Sequence, residues 1–161
     1  MAIALSISSA VHAYVEDFTP ADSVLVDKSD RKLYLIKNGE PYREYSIALG
    51  FHPVGHKKKE GDGKTPEGLY TLDWRNPNSR FYRAIHISYP SVTDLEHANS
   101  NGDRPGGMIM IHGYPDASVF NSAKYKYRGK DWTDGCIAVN NDAMDEIWQA
   151  VSDGTQIEIR K

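Results

Sequence analysis

The apolar residues of this 161-residue chain fall into short runs that turn-forming residues interrupt every few positions. Leu33–Ile36 and Tyr42–Leu49 have the length and composition of β-strands, and Asn38-Gly39 between them is a strong signal for a tight hairpin turn. Further runs of this kind are Val24–Val26, Leu69–Trp74, Ala84–Ser88, Met108–Ile111 and Gln156–Ile159. Asp142–Val151 instead repeats its apolar residues with helical spacing. The pattern predicts a mainly β domain that begins as an antiparallel meander and has one substantial helix near the C-terminus.

Length and composition restrict the class of protein. The chain is long enough for one domain with a real core and too short for two ordinary ones. Its 40% hydrophobic and 25% charged residues are typical of a soluble globular domain. A net charge of −3 gives no sign of a nucleic-acid partner. No apolar stretch approaches the length of a membrane span.

The first residues resemble the end of a secretory signal. Ile3–Val11 is short, apolar and rich in Ala and Ser, and Val11-His12-Ala13 is a suitable small-residue cleavage site. The basic region that normally precedes such a stretch is missing, so an ordinary N-terminal strand or helix is the alternative. We expect residues 1–13 to be the remnant of a signal, residues 14–161 to form a single domain, and the protein to act in the periplasm or cell envelope.

The single cysteine, Cys136, follows Gly135 and precedes the apolar run Ile137–Val139. Glycine permits a sharp turn, and the apolar run can hold this turn against the core while the sulfur faces a cleft. Upstream, an apolar strand is predicted to end at His112. One cysteine with a histidine brought beside it by the fold is the minimum equipment for thiol catalysis. The alternative is that Cys136 is a small buried hydrophobe, as most free cysteines are.

The chemistry that this pair permits is acyl transfer through a thioester. An imidazolium at His112 would lower the pKa of the Cys136 thiol, so we expect thiolate to be populated below the ordinary value of about 8.5. Backbone N–H groups of Gly135 and Cys136 could stabilise an oxyanion. A zinc site built from His112, His86 and Cys136 is the competing use, but no pair has typical ligand spacing. We therefore predict neither a metal nor another cofactor.

Four motifs resemble, in order, those of the YkuD-like L,D-transpeptidase catalytic domain family, and most of all its YafK-type branch. They are Lys64–Tyr70, His86–Pro90, His112-Gly113 and Thr133–Cys136. The resemblance extends from about Asp22 to the C-terminus. It implies a β-sandwich or open barrel, and cysteine-dependent acyl transfer on peptidoglycan stem peptides in cell-wall remodelling. The bond implied is an L-to-D linkage such as the one after meso-diaminopimelate.

The resemblance also implies roles for individual residues. Cys136 corresponds to the nucleophile and His112 to the general base and acid, with Gly135 as the oxyanion backbone and Gly113 beside the base. The residues implied to bind substrate are His86, Tyr114, Thr133, Asp134, Ala138 and Arg128. The glycine-rich loop of residues 50–68 is implied to border the cleft.

Departures from the family pattern affect the substrate pocket. Typical members have His where this chain has Asp134, and Arg, thought to hold a substrate carboxylate, where it has Ala138. The segment Tyr114–Trp132 is longer than usual. Another cation would then be needed to hold a substrate carboxylate. The candidates in the sequence are Arg128, Lys130 and the loop Lys57–Lys64.

Two alternatives to a transpeptidase remain open. One is a peptidoglycan hydrolase, either an L,D-carboxypeptidase or an amidase that releases a wall-attached protein, which would then be a second partner. The other is a catalytically silent wall-binding module. Retention of both His112 and Cys136 argues against the silent module. The sequence does not indicate an oligomeric state.

Overall fold

The computed structural model describes residues 19–115 and 131–161. Within these ranges, eight strands form one sheet in the order β3-β2-β1-β8-β4-β5-β6-β7. The strands are β1 (Ser23–Asp27), β2 (Lys32–Lys37), β3 (Glu40–Ser46), β4 (Gly68–Ser79), β5 (Tyr82–Ile87), β6 (Met110–His112), β7 (Ile137–Ala138) and β8 (Thr155–Arg160), and the helices are α1 (Val92–Ser100) and α2 (Asn141–Ala150). The predicted mainly β fold is confirmed. The expectation for residues 1–13 lies outside the described residues.

The predicted meander is present at the start of the domain. Strands β1, β2 and β3 pair antiparallel, and buried residues alternate with outward-facing ones along β1 and β2. Between β2 and β3, Asn38 and Gly39 have φ angles of 52° and 82°. Two consecutive positive φ angles are the requirement of the tight hairpin turn that the Asn-Gly pair predicts.

Two contacts give the sheet its curvature and closure. Strand β8 lies parallel to β1 and antiparallel to β4, so it joins the meander to the second half of the sheet. After β3 the chain crosses to the far edge, where Ala48 bridges Ala138 and Gly50 bridges Thr133. The continuation of β3 therefore lies alongside β7, which agrees with the β-sandwich or open barrel that the family resemblance implied.

Helix α2 covers the core as predicted. The Asn140 side chain caps its start by accepting a hydrogen bond from the Ala143 N–H at 2.7 Å. Met144 and Ile147 are fully buried in the same cluster as Ile111 and Ile137. Burial of each such side chain is worth about 1.5–3 kcal/mol. The segment that carries Cys136 is thus held between the sheet and α2.

A second helix, α1, was not predicted. Its start is a capping box, in which Ser91 Oγ accepts from the Asp94 N–H and the Asp94 carboxylate accepts from the Ser91 N–H. Only Asp94 and Ala98 of this helix are buried. A helix that buries so little needs no apolar stripe, and its sequence has almost no apolar periodicity. The described domain therefore has two helices of similar length, where we expected one. None of the described helices is long and apolar enough to cross a membrane.

A buried lysine fixes the glycine-rich loop of residues 50–67. The Lys28 ammonium donates to Gly55 O at 2.8 Å, Thr65 O at 3.0 Å and Glu67 Oε1 at 2.8 Å. Burial lowers the pKa of Lys28, and the bond to Glu67 opposes that shift. Because these three acceptors lie at both ends of the loop, one cation ties the loop to the end of β1.

The backbone of this loop approaches the rest of the domain closely at Gly50. A Cβ atom at this position would lie 2.2 Å from Gly63 O and 3.1 Å from Gly135 Cα. No side chain fits in that space without a backbone shift. Gly50 therefore sets the distance between the loop and the turn that precedes Cys136.

We predict that Gly50→Ala destabilises the domain by about 2 kcal/mol or more, a fall in Tm of roughly 5 °C. The matched control is Gly107→Ala, because a Cβ there meets nothing within 4 Å. Thermal unfolding of the two variants beside the unmodified protein measures the difference. Equal Tm values for the two variants would contradict the close approach.

Candidate active site

The pairing of β6 with β7 brings His112 and Cys136 together. The strands are parallel, with Ile111 opposite Ile137 and His112 opposite Ala138. Ile111 and Ile137 are fully buried in the core. Because side chains alternate along a strand, His112 and Cys136 both face the opposite side of the sheet. There they line one cavity of about 580 Å³.

The cavity combines aromatic, polar and sulfur-bearing walls. It is lined by Asn76, Ser79, Arg80, Phe81, Ala84, Gly107, Met108, Met110, His112, Trp132, Thr133, Asp134 and Cys136. Four residues predicted for the site, His112, Thr133, Asp134 and Cys136, are thus brought together. No group of three His, Cys, Asp or Glu side chains in residues 19–115 and 131–161 is arranged to hold a metal ion.

The tautomer of His112 follows from its hydrogen bond. Nδ1 lies 2.7 Å from Gly113 O, and a carbonyl oxygen can only accept, so Nδ1 carries the hydrogen. In the neutral ring Nε2 then holds the lone pair and is the basic nitrogen. The ring packs against Phe81 at 4.7 Å and Trp132 at 5.7 Å between centroids. This arrangement fixes the orientation of the imidazole, with Nε2 as its basic nitrogen.

Burial controls the ionisation of His112. Burial lowers its pKa to about 4, the Gly113 carbonyl opposes the shift, and the charge of Arg80 adds to it. The imidazole is therefore neutral at physiological pH. A neutral ring is the form that can accept a proton from a thiol.

Gly113 is fixed by packing against the start of α2. The Tyr114 N–H donates to Asn141 Oδ1 at 2.8 Å, and a Cβ on Gly113 would lie 2.5 Å from the same oxygen. A side chain at Gly113 would displace the carbonyl that holds His112. The His-Gly pair is thus a steric requirement of this corner.

Thr133 braces the turn that presents Cys136. Its hydroxyl accepts from the Gly135 N–H at 3.1 Å and donates to Cys136 O at 2.7 Å. Gly135 has a φ of +135°, and a Cβ there would lie 2.6 Å from Lys64 O. The Gly135 N–H already donates to Thr133, so it is a poor donor to an oxyanion. This geometry therefore does not support that use of the Gly135 N–H. Likewise the Thr133 hydroxyl is engaged by the backbone and positions the turn.

Burial opposes the thiolate that was expected from the sequence. Cys136 Sγ lies 3.6 Å from Met108 O, where an S–H can donate. Burial raises the pKa of Cys136; the Met110 N–H opposes this, the Asp134 charge adds to the rise, and Lys57 lowers it more weakly. The expected thiolate requires an imidazolium neighbour, whereas burial lowers the pKa of His112.

Comparisons with known proteins agree with this geometry. The family model of the L,D-transpeptidase catalytic domain, YkuD, matches residues 21–159. The chain belongs to the YkuD family. It is 34% identical over 136 residues to YafK of Escherichia coli (strain K12), a protein provisionally named an L,D-transpeptidase, covering 80% of this chain and 46% of YafK.

Solved structures of two YkuD-fold proteins are similar to the domain. The helical cell shape determining protein Pgp2 from Campylobacter jejuni matches with a TM-score of 0.64 and 30% identity, over 86% of this chain and 46% of Pgp2. Bd1075 from Bdellovibrio bacteriovorus matches with a TM-score of 0.60 and 26% identity, over 91% and 50% of the two chains. This chain thus spans about half the length of these relatives.

Three of the residues that the YkuD resemblance implied for substrate binding, His86, Tyr114 and Ala138, lie outside the cavity. His86 is on the sheet face opposite Ile85 and Ile87, as predicted, but it stacks on Trp74 at 4.8 Å and bonds Asp73 at 2.7 Å. Tyr114 lines a neighbouring cavity. It stacks at 5.8 Å on Trp132, which lines the cavity of the thiol.

The position of the typical YkuD arginine is closed. Ala138 is fully buried, bridged to Ala48 and paired with His112, and it does not line the cavity. Lys57 is also buried and lies 2.8 Å from Asp62, so it is not exposed to a substrate. Arg128 and Lys130 lie outside the described residues.

Several residues that line the cavity were not predicted from the sequence. Phe81 and Arg80 form the tip of the β4–β5 hairpin, far in sequence from the cysteine motif, and no spacing rule connects the two. Trp132 could have been found from the sequence, since it directly precedes the Thr133–Cys136 motif. Met108 was assigned to a strand, whereas it has a φ of 55° and is largely exposed beside the sulfur.

We predict that alkylation of Cys136 has its pH inflection above the ordinary thiol value of about 8.5, because burial disfavours the thiolate. Asp134→Asn should move the inflection to lower pH, since it removes a nearby negative charge. Asp30→Asn, an exposed carboxylate in the β1–β2 turn, is the matched control. The rate of alkylation by iodoacetamide, measured between pH 6 and 10.5, gives the pH of the inflection. An inflection well below 8.5 would indicate the thiolate–imidazolium pair instead.

A second prediction concerns His112, whose pKa is lowered to about 4 by burial. The neutral ring should persist as pH falls from 7 to 5 and should protonate only near 4. Phe81→Ala admits water to the ring and should move the pKa upward, toward the ordinary value of about 6.5. Titration of the imidazole by NMR measures both. A value near 6.5 in the unmodified protein would contradict the effect of burial.

Proposed function

We propose that this YkuD domain is a cysteine acyltransferase that acts on peptidoglycan stem peptides as an L,D-transpeptidase. The observation that carries the proposal is the His112 hydrogen bond to Gly113 O. It leaves Nε2 as the basic nitrogen in the cavity that also contains the Cys136 thiol. This is a base and a nucleophile in one cleft, with the base oriented by a third group.

In the acylation step the neutral pair reacts without prior charge separation. As Cys136 Sγ attacks the peptide carbonyl carbon, the thiol proton moves to His112 Nε2. The carbonyl oxygen becomes an oxyanion, for which the Cys136 N–H is the proposed donor because the Gly135 N–H is already committed to Thr133. The imidazolium then gives its proton to the departing amine, the C–N bond breaks, and a thioester remains.

In the second half of the reaction an acceptor resolves the thioester. An amine of another stem peptide attacks the thioester carbonyl and loses its proton to His112. The C–S bond breaks, and the sulfur recovers a proton from the imidazolium. The product is a new amide, and the enzyme returns to its neutral resting state.

The walls of the cavity suit a peptide with polar branches. Phe81 and Trp132 provide apolar area, while Asn76, Ser79 and Asp134 provide polar groups. The YkuD resemblance supplies the substrate class, and peptidoglycan lies in the cell envelope, where we propose that the domain acts. Pgp2, whose domain is similar, is a determinant of helical cell shape. A role in wall remodelling and cell shape is the corresponding proposal for this protein.

Hydrolysis is the second candidate, favoured by the closed position at Ala138. The pocket differs there from the pocket of typical YkuD members. Water is then a reasonable acceptor, and the linkage to a wall-attached protein is a reasonable substrate. The product would then be a trimmed stem peptide or a released protein. A silent wall-binding module is the third possibility, which predicts binding without turnover.

We predict that purified muropeptides are converted by the protein and that Cys136→Ala and Cys136→Ser abolish turnover with Tm changed by less than about 3 °C. Cys136 is only partly buried as a residue and its sulfur lines the cavity, so the substitution should cost little stability. Mass spectrometry with and without an added amine acceptor distinguishes exchange from hydrolysis. Ser29→Ala, at an exposed hydroxyl, is the matched control. Full activity of Cys136→Ala would remove the catalytic assignment.

A further inference from the structure

Arg80 is unusual among the arginines of the described ranges. Each of the others lies within 4.0 Å of a carboxylate: Arg31, Arg43, Arg75, Arg83, Arg104 and Arg160. Arg80 is exposed and has no acidic partner in residues 19–115 and 131–161. It also lines the cavity that contains the thiol. Its charge is therefore available to a ligand in that cavity.

The guanidinium is held in place by an aromatic ring. Its Cζ atom lies 4.9 Å from the centroid of Phe81, and the Phe81 ring lies 4.7 Å from that of His112. A cation over a ring face is attracted by the ring, and a guanidinium held in this way keeps N–H groups for a carboxylate. The guanidinium lies no further from the imidazole than the sum of these two distances. The effect of Arg80 on the pKa of His112 agrees with that proximity.

The charges that line the cavity are divided between its two sides. Arg80 is the only cationic side chain among the described lining residues, and Asp134 is the only carboxylate. Asp134 acts on the pKa of Cys136, whereas Arg80 acts on that of His112. An anionic group of a bound substrate is therefore attracted to the side of Phe81 and repelled from the side of the nucleophile.

We propose that Arg80 is a substrate-binding residue that recognises a free carboxylate on the acyl-donor residue of the peptide. The proposal rests on the proposed function for the identity of the peptide. The planar guanidinium can bind a carboxylate through two parallel N–H groups, which fixes direction as well as position. Substrate bound in this way would have its anionic branch at the hairpin tip and its scissile carbonyl nearer Cys136.

The test measures binding in a Cys136→Ala background, so that no turnover is needed. Two stem peptides are compared by calorimetry, one with the free carboxylate of its diaminopimelate residue and one with that carboxylate amidated. Adding Arg80→Gln should weaken binding of the free acid about three- to tenfold, and binding of the amide by less than about twofold. Arg80→Lys should retain part of the preference. Arg43→Gln, an equal loss of charge on β3, should leave both affinities unchanged.

The salt dependence and the free protein give independent readouts. The preference for the free acid should shrink as ionic strength rises, because the guanidinium is exposed. Without ligand, Arg80→Gln should raise the pKa of His112 in an NMR titration, and Arg43→Gln should not. Equal losses for the two peptides, or no loss, would overturn the proposal. These measurements do not require catalysis. The role of Arg80 can therefore be refuted while muropeptide turnover is observed, and it can be supported while turnover is absent.

Discussion

The parallel register of β6 and β7 is the constraint on which the site depends. Strand β7 has only two residues, and a slip of one position would turn Cys136 into the core and Ile137 out of it. Full burial of Ile137 opposes that slip, as do the backbone bonds from the Ala138 N–H to Ala48 O and from the Val139 N–H to His112 O, each 2.9 Å long. The thiol thus faces the imidazole because the core accepts only one register.

The surroundings of the pair disfavour the charged forms of both groups. A thiolate and an imidazolium in this cavity would each lose hydration, and their attraction recovers that loss only with good geometry and further hydrogen bonds. The hydrogen bonds of Thr133 and Lys28 go instead to the turn before Cys136 and to the loop that packs against it. Thr133 satisfies the backbone at Gly135 and Cys136, and Lys28 holds the loop whose Lys64 carbonyl packs against Gly135. These bonds fix the turn and the loop on either side of the thiol.

The sequence predicted those parts of the structure that local patterns encode. Alternation and the Asn38-Gly39 turn predicted the meander, helical spacing of apolar residues predicted α2, and the His and Gly-Cys motifs identified two residues that line one cavity. The parallel pairing of β1 with β8 joins segments far apart in the chain, so no local pattern indicates it. Helix α1 has a capping box but no apolar stripe. The sequence pointed to a thiolate, whereas burial raises the pKa of the thiol, and a motif does not report burial.

The β4–β5 hairpin separates substrate recognition from the nucleophile. Its two-residue tip, Arg80-Phe81, is positioned by the pairing of Ser79 with Tyr82 and by the Ser79 hydroxyl, which accepts the Phe81 N–H at 3.1 Å. The register of β4 against β5 shifts twice before the tip, and such irregularities increase local twist and redirect side chains. Because this tip approaches the cavity from a different strand than Cys136, its residues can change without altering the core that fixes β7. Variation in the anionic group that is recognised is therefore compatible with an unchanged thiol–imidazole pair.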